Sequence, residues 1–466
     1  MDPLEAAALA QEIANSNFED GRLNRRLHAL VATLATDPAQ SLPRALDSAG
    51  LEAAYRFFSN HRVTPEDILA PHIGATKARC KEQGPFLVIH DTTTFSYRYN
   101  GEREGLERLQ RNRQGSSQAF FAHVSLAVTA DGTRRPLGVA ALKHWTRNAA
   151  VKGIEFQRWE DQIRESSSNL DGLKDAIHLM DREADDYQMF HALLREGHRF
   201  VARCVSDRRL ETSTGMTKLR EFLATIPTTI EREIPLQRRK PHPSPILKKI
   251  HPPRESRTAK LSIAGATVLL KRPSTVSKRH VPLPATLPMN VVRIWEADPP
   301  DGETAVEWYL YTSEPVETVE QQLAVADYYR ARWTIEEYFK ALKTGCDFEA
   351  RQLQDYEGLV NLLAVFAPIA YRMLLIRSEA RRVPDESAVA VLTPDHIAVL
   401  RAKGRTKLSV NPTTREVYLA IAVLGGHIKY SKRDPGWLTL ARGLEDLEKL
   451  TEGYRIGKLQ AHSDQP

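Results

Sequence analysis

Apolar residues recur along this chain at two different periods, and the changes of period divide it. Through residues 1–75 the period is helical: Leu4, Leu9 and Ile13, then Leu23, Leu27, Leu30, Val31 and Leu34, with Asp37-Pro38 and Leu42-Pro43 as breaks. From Pro85 the pattern is that of strands. PFLVIHDTTT reads as a buried strand that ends on Asp91 and the threonines after it. Ala119 to Thr129 and Pro136 to Lys143 read as a hairpin about Ala130-Asp131-Gly132. Ala176 to Met180 is another strand, closed by Asp181, and a helix from about Glu183 to Arg195 leads to a strand from Arg199 to Val205. That order predicts an α/β core, and acids at strand ends stand where such sheets place their ligands.

Residues 207–316 break the alternation. Strands are predicted around Lys260–Leu270 and Val291–Trp295, and Trp308–Thr312 brings the chain back, with Ser313-Glu314-Pro315 as a helix-start signal. Tyr328 to Lys343 is predicted as one helix and residues 355–377 as a second, buried one. In the tail, Trp437, Leu440, Leu444 and Leu447 form a stripe that suits a core. The predicted organisation is a helical N-terminal domain (1–75), an α/β domain (76–376) with a β-rich insertion at about 207–316, and a helical C-terminal domain (377–466).

Charge changes this picture in one region. The 65 Lys and Arg against 59 Asp and Glu leave only +6 over 466 residues. Gln237 to His280, however, holds twelve cations and one acid, Glu255, so the remainder is slightly acidic. Its prolines keep it from being a helix, and it reads either as a clamp on a phosphate backbone or as a loose basic loop. Arg22, Arg25, Arg26 and Arg56 among the N-terminal helices likewise suit DNA contacts or a solvated basic face. Cys80, Cys204 and Cys346 show no metal-ligand spacing and read as free thiols. The start, MDPLEAAALA, has no cationic region before an apolar run, and Leu359–Ile376 is interrupted by Asn361, Pro368 and Arg372. A soluble, intracellular protein is expected.

Candidate chemistry gathers on YYRARWTIEEYFKALK, residues 328–343. At 100° per residue, Tyr329, Arg332, Glu336, Lys340 and Lys343 fall on one polar stripe of a helix, beside an apolar stripe of Tyr328, Ala331, Ile335, Phe339 and Leu342. A lone acid among cations is ordinarily a solvated salt-bridge ladder. Asp91 and Asp181 suggest another reading, because three carboxylates brought together repel unless hard cations lie between them. Two Mg²⁺ or Mn²⁺ ions so held can activate a water or a 3′-hydroxyl for phosphodiester displacement.

HDTTTFSYR, MDREADDY, DGETAVEWYLYTSEPVETVEQ and YRARWTIEEYFKALKTG resemble the cut-and-paste transposases of the insertion-sequence-four family. The family signature Y-(2)-R-(3)-E-(6)-K is met by Tyr329, Arg332, Glu336 and Lys343. EDGRLNRRL, AAYRFFSN, VLTPDHIAVL and IAVLGGHIKYSKRDPGW extend the resemblance over most of the chain. It implies a ribonuclease-H-like core whose Asp91, Asp181 and Glu336 bind two Mg²⁺ (Mn²⁺ substituting), an N-terminal domain on transposon ends, and a dimerising C-terminal region. Such an enzyme nicks DNA, closes and reopens a hairpin on the transposon end, and joins the 3′ end to target DNA. The resemblance further implies that Tyr329 and Arg332 hold the phosphate of a flipped base, that Trp308 stacks on it, and that Lys343, Lys340 and Arg203 contact DNA. As partners it implies double-stranded DNA and a second copy of the chain, with no membrane, in the bacterial cytoplasm. Two regions depart from the family: Phe120-Phe121 stand where tryptophans are expected, and the insertion matches only in being basic. A catalytically silent DNA-binding derivative is the rival reading, against which the presence of all three acids argues.

Overall fold

The computed structural model describes residues 12, 16–98, 101–112, 115–146, 155–236, 238–239, 241, 244–245, 252–274, 282–403, 406–428 and 434–463. In chain order the elements are α1 (Gly21–Thr36), α2 (Leu42–Ala45), α3 (Ser48–Phe58), α4 (Pro65–Lys81), β1 (Phe86–Arg98), β2 (Glu107–Asn112), β3 (Gly115–Thr129), β4 (Pro136–Trp145), α5 (Glu155–Asn169), β5 (Ala176–Met180), α6 (Tyr187–Arg195) and β6 (Arg199–Arg203). The chain continues through β7 (Arg209–Thr212), β8 (Gly215–Lys218), α7 (Leu219–Ala224), β9 (Ile230–Leu236), β10 (Arg257–Lys271), β11 (Thr286–Glu296) and β12 (Glu307–Thr312). Last come α8 (Val319–Ala331), α9 (Thr334–Lys340), α10 (Tyr356–Arg382), α11 (Pro394–Lys403), α12 (Thr414–Leu424) and α13 (Trp437–Ser463). Two compact units result, one of residues 1–153, 162–173 and 333–466, the other of residues 154–161 and 174–332. Leu4, Leu9, Ile13, Lys240, Lys248, Lys249, Lys278 and Arg279, which the sequence reading used, lie outside the described residues.

In the first unit, Asp20 caps α1 by accepting from Arg22 N, and the helix buries Leu27, Leu30, Val31 and Leu34 while Arg22 and Arg25 stay exposed. Strand β3 pairs antiparallel with β1 along one edge, and along the other with β2 and then β4. Asp91 does not end its strand: β1 runs on unbroken to Arg98, in register with β3 as far as Arg98↔Ser117. The threonines after Asp91 are polar but β-branched, and they suit a pleated, half-buried surface as well as valine does. Helix α4 lies close on β4 at Gly138, where φ is +140° and an added Cβ would fall 2.0 Å from Thr76 Oγ1. The apolar α10 is long enough to cross a membrane, yet 94% of its most apolar window is buried inside the protein, so it is a core helix. The tail stripe Trp437, Leu440, Leu444 and Leu447 is buried too.

Three long-range fastenings tie the N-terminal helices into this unit. Asn361 of α10 donates to Phe58 O at 2.9 Å and to Val63 O at 3.1 Å. Arg351, 3% exposed, donates to Pro38 O and Cys346 O, each at 2.5 Å, and to Gln40 O. Asp37 meets Lys449 of α13 at 3.5 Å. Burial, then the neighbouring Glu445 carboxylate, pushes the Asp37 acid up to about 6, against the pull of Lys449.

In the second unit, β5 and β6 are parallel and joined by α6, as a β-α-β unit requires. The sheet continues antiparallel through β12, β11, β10, β7 and β8, with β9 on another stretch of β10. The predicted strands within the insertion are present and longer than the alternation indicated. Helix α8 starts at a capping box formed by Thr318 and Gln321, not at Ser313-Glu314-Pro315. Glu314 is instead buried against Arg199 at 2.5 and 2.9 Å, a tertiary use that local sequence does not reveal. Several insertion cations are also ion-paired: Arg238 with Glu255, Arg257 with Glu296, Lys260 with Glu231 and Lys271 with Glu211.

Arg351→Met leaves three backbone carbonyls without their partner and is expected to lower the unfolding free energy by about 3 kcal/mol, measured by denaturant titration. Asp37 has a raised folded pKa, so its protonated form favours the fold, and that contribution is lost as pH rises from about 4 through about 6. Asp37→Asn, which stays neutral, is therefore expected to raise Tm over the wild type at pH 8, with the gap closing by pH 4.

Candidate active site

Five of the candidate residues converge within the second unit. Asp181 follows β5 directly and caps a short 3₁₀ turn, its carboxylate accepting from Glu183 N at 2.8 Å. On the neighbouring strands, Arg203 of β6 lies opposite Leu310 of β12, and its guanidinium sits 5.6 Å from the Trp308 ring. Arg203 Nη2 donates to Glu307 O at 2.8 Å, which holds it there. Tyr329, near the end of α8, meets Trp308 edge-to-face at 5.7 Å and is only 6% exposed. Burial pushes the Tyr329 phenol up, while the adjacent Arg332 and Arg203 charges pull it down and the Asp181 charge pushes it further up. The phenol therefore remains a proton donor beside two guanidiniums and one carboxylate.

The acids of MDREADDY divide their work. Asp185 is buried, accepts from Val205 N and Ser206 N at 2.8 Å each, and pairs with Arg208 at 2.5 Å. Asp186 caps α6 through Gln188 N and Met189 N. Asp181, which caps its own short turn, stands half-exposed at the mouth of its strand.

In the first unit α9 packs on β1, the strand that carries Asp91. The predicted single helix over 328–343 is instead α8 and α9 separated at Arg332-Trp333, then a π-helical turn at Ala341–Gly345. Arg332 N bonds Tyr329 O and Glu336 N bonds Trp333 O, both i to i−3, and Cys346 N bonds Ala341 O. A uniform 100° rotation does not hold across such changes of winding, so the regular helix on which the single polar stripe was drawn is interrupted. The apolar stripe survives better: Ala331, Ile335, Phe339 and Leu342 are buried. Of the paired acids Glu336 and Glu337, Glu337 meets Lys340 at 2.6 Å and Arg377 at 3.6 Å. Burial works against ionisation there, but Lys340 and Arg377 hold Glu337 below the usual carboxylate range. Glu336 is half-exposed in the first turn of α9.

Lys340 is exposed beyond its contact with Glu337. Lys343 is half-buried: its Nζ donates to Thr94 O of β1 at 2.6 Å and lies 5.4 Å from the Phe95 ring. Sequence reasoning passed over Trp333, which is 56% exposed at the head of α9. A tryptophan three residues before a candidate catalytic acid was visible in the sequence, although its exposure was not. Among the described residues, no set of three or more His, Cys, Asp or Glu side chains is gathered closely enough to hold a metal ion.

The chain is a mixed α/β protein with helical flanking regions. The family pattern described as transposase DDE domain matches residues 88–367, and the chain belongs to that family. A second pattern, transposase DNA-binding, matches residues 5–63. The protein is thus a DNA-binding transposase, an enzyme that cleaves and joins DNA. Among solved structures it is similar to a piggyBac transposase, seen by cryo-EM in a synaptic complex with hairpin DNA, at 11% identity. That likeness covers 98% of this chain and 82% of the other, with a TM-score of 0.39.

Lys343→Met is expected to slow DNA cleavage while leaving the salt dependence of end binding unchanged, because its ammonium holds a strand carbonyl. Binding isotherms at several salt concentrations check this: a slope lower by about 1 would instead put a phosphate on Lys343.

Proposed function

We propose that this transposase is a cut-and-paste enzyme of the insertion-sequence-four type, acting through a hairpin on the transposon end as a homodimer in the bacterial cytoplasm. The observation that carries the reading is the packing of Trp308, Tyr329 and Arg203 beside Asp181, in a chain that keeps the Tyr329, Arg332, Glu336, Lys343 spacing. Half-exposed Trp308 offers a surface for a base turned out of the helix. Turning a base out costs a few kcal/mol, and stacking on an aromatic ring returns about 1–3 kcal/mol of it. Tyr329, kept protonated, donates to a phosphate oxygen, and Arg332 presents a planar fork suited to the same phosphate. Arg203 steadies Trp308 by cation–π contact, and in the first unit exposed Lys340 and Trp333 are further groups that can meet DNA. The 5–63 region, with exposed Arg22, Arg25 and Arg56, binds the terminal repeats through their backbone.

Asp91, Asp181 and Glu336 are the proposed catalytic acids. Their donor set is all carboxylate oxygen, which fits Mg²⁺, with Mn²⁺ as substitute, and the family is one that works with divalent metal. When bound, two such ions would supply an activated oxygen nucleophile and a stabilised leaving oxygen. The residues' own part is to stand in fixed places: Asp91 within a fully paired strand, Asp181 as the cap of a turn, and Glu336 on a helix whose other face is buried.

The test is incubation of purified protein with Mg²⁺ and DNA bearing the inverted repeats that flank the gene. Wild type is expected to cut at the repeat ends and leave hairpins on the transposon fragment. Glu336→Gln should bind the same DNA and cut it at least about a thousandfold more slowly. Equal cutting by Glu336→Gln overturns the assignment, and end binding without cutting by wild type favours a silent DNA-binding derivative.

A further inference from the structure

The face of β1 opposite Asp91 carries a polar arrangement that the proposed chemistry does not use. Up to Ile89 the strand is apolar and buried, with Phe86, Leu87, Val88 and Ile89 all at most 1% exposed. At the acid, the residues on the far face change from apolar to polar: His90 and Thr92, which alternate with Asp91 across the pleat. Both are held by side chains of β3. Thr92 Oγ1 and His123 Nδ1 share a hydrogen bond at 3.0 Å, and His90 Nδ1 and Ser125 Oγ share one at 2.9 Å. Gln162 of α5, wholly buried, donates from Nε2 to Ser125 Oγ at 2.8 Å and to His123 O at 3.3 Å. His90, His123 and Ser125 are each at most 1% exposed.

Buried imidazole, hydroxyl and amide groups need partners to offset their desolvation, and an apolar set of similar shape would serve stability as well. What a hydrogen-bonded polar network adds is a fixed arrangement of its members. Here that arrangement reaches the acid directly, because Thr92 N donates to Asp91 Oδ1 at 2.8 Å. Thr92 thus binds His123 with its hydroxyl and the Asp91 carboxylate with its amide. Further along the strand, Lys343 holds Thr94 O.

We propose that Thr92 and His123, backed by Ser125, His90 and Gln162, are positioning residues that fix the direction of the Asp91 carboxylate for DNA cleavage. The proposal rests on Asp91 being a catalytic acid. Its removal should therefore slow the chemical step without weakening the grip on DNA.

The experiment uses the full-length protein and terminal-repeat DNA. It measures single-turnover cleavage in Mg²⁺, end-DNA affinity in EDTA, and Tm for Thr92→Val, His123→Leu, His123→Asn and the Thr92→Val/His123→Leu double variant. Thr92→Val, close to isosteric, should cut about tenfold more slowly with unchanged end affinity and nearly unchanged Tm. His123→Leu should match it, the double variant should be no slower than either single one, and His123→Asn, which keeps a polar atom near Nδ1, should recover most of the rate. Cleavage by Thr92→Val at the wild-type rate overturns the proposal, as do losses that multiply in the double variant or follow Tm. Asp91→Asn serves as the control: if it cuts like wild type, the catalytic reading of Asp91 falls and this inference with it.

Discussion

Carboxylates that work on DNA must be held against repulsion, both from one another and from the phosphates they approach. Two like charges 4 Å apart repel by about 1 kcal/mol in water and about 4 kcal/mol at the effective dielectric of a protein surface. Side chains on loose segments would swing apart under that force. In this chain each candidate acid is seated on an element whose position is set by something else. Asp91 lies in a strand paired to β3 over its whole length, and Asp181 follows a strand with every residue buried. Glu336 opens a helix anchored by buried Ile335, Tyr338 and Phe339, with the Tyr338 hydroxyl donating to Ala367 O at 3.1 Å.

The same constraint explains why so many neighbouring charges are occupied elsewhere. Asp185 and Glu337 lie close in sequence to the candidate acids, yet each is matched to a specific cation, Arg208 in one case and Lys340 with Arg377 in the other. Asp181 and Glu336 stand half-exposed beside them. Among the cations, Arg203 is held over a tryptophan and Lys343 over a strand carbonyl. The cations of the site therefore differ in what they can reach, although the sequence shows them as equivalent basic letters.

Much of the fold was legible because strands with buried faces announce themselves. Ala176–Met180, Arg199–Arg203 and Glu307–Thr312 lie within two residues of their predicted bounds, and the hairpin about Asp131 is present. The strand after Asp91 was not, since three threonines look like a polar end and only pairing to β3 makes them strand interior. The helix over 328–343 failed for a different reason. Its residues are all helical in φ and ψ at Arg332, Trp333 and Ala341, but the hydrogen bonds shift from i−4 to i−3 and then to i−5, which no periodicity reveals. Trp308 and Arg203 were named from a resemblance and Tyr329 first from the helical stripe, and their contact could not be read from residues 126 positions apart at the extremes. The fastenings by Arg351, Asn361 and the Thr92–His123 pair are contacts between distant segments, beyond the reach of any local pattern.

The central claim, that Asp91, Asp181 and Glu336 are metal-holding catalytic acids of a transposase, is tested most directly by exchanging the softness of one donor. In an Asp181→Cys variant the thiolate is a poor ligand for Mg²⁺ and a better one for Mn²⁺. Cleavage of terminal-repeat DNA by this variant should be lost in Mg²⁺ and regained in Mn²⁺, while wild type cuts in both. Equal cleavage by Asp181→Cys in the two metals, at the wild-type rate, would contradict the account.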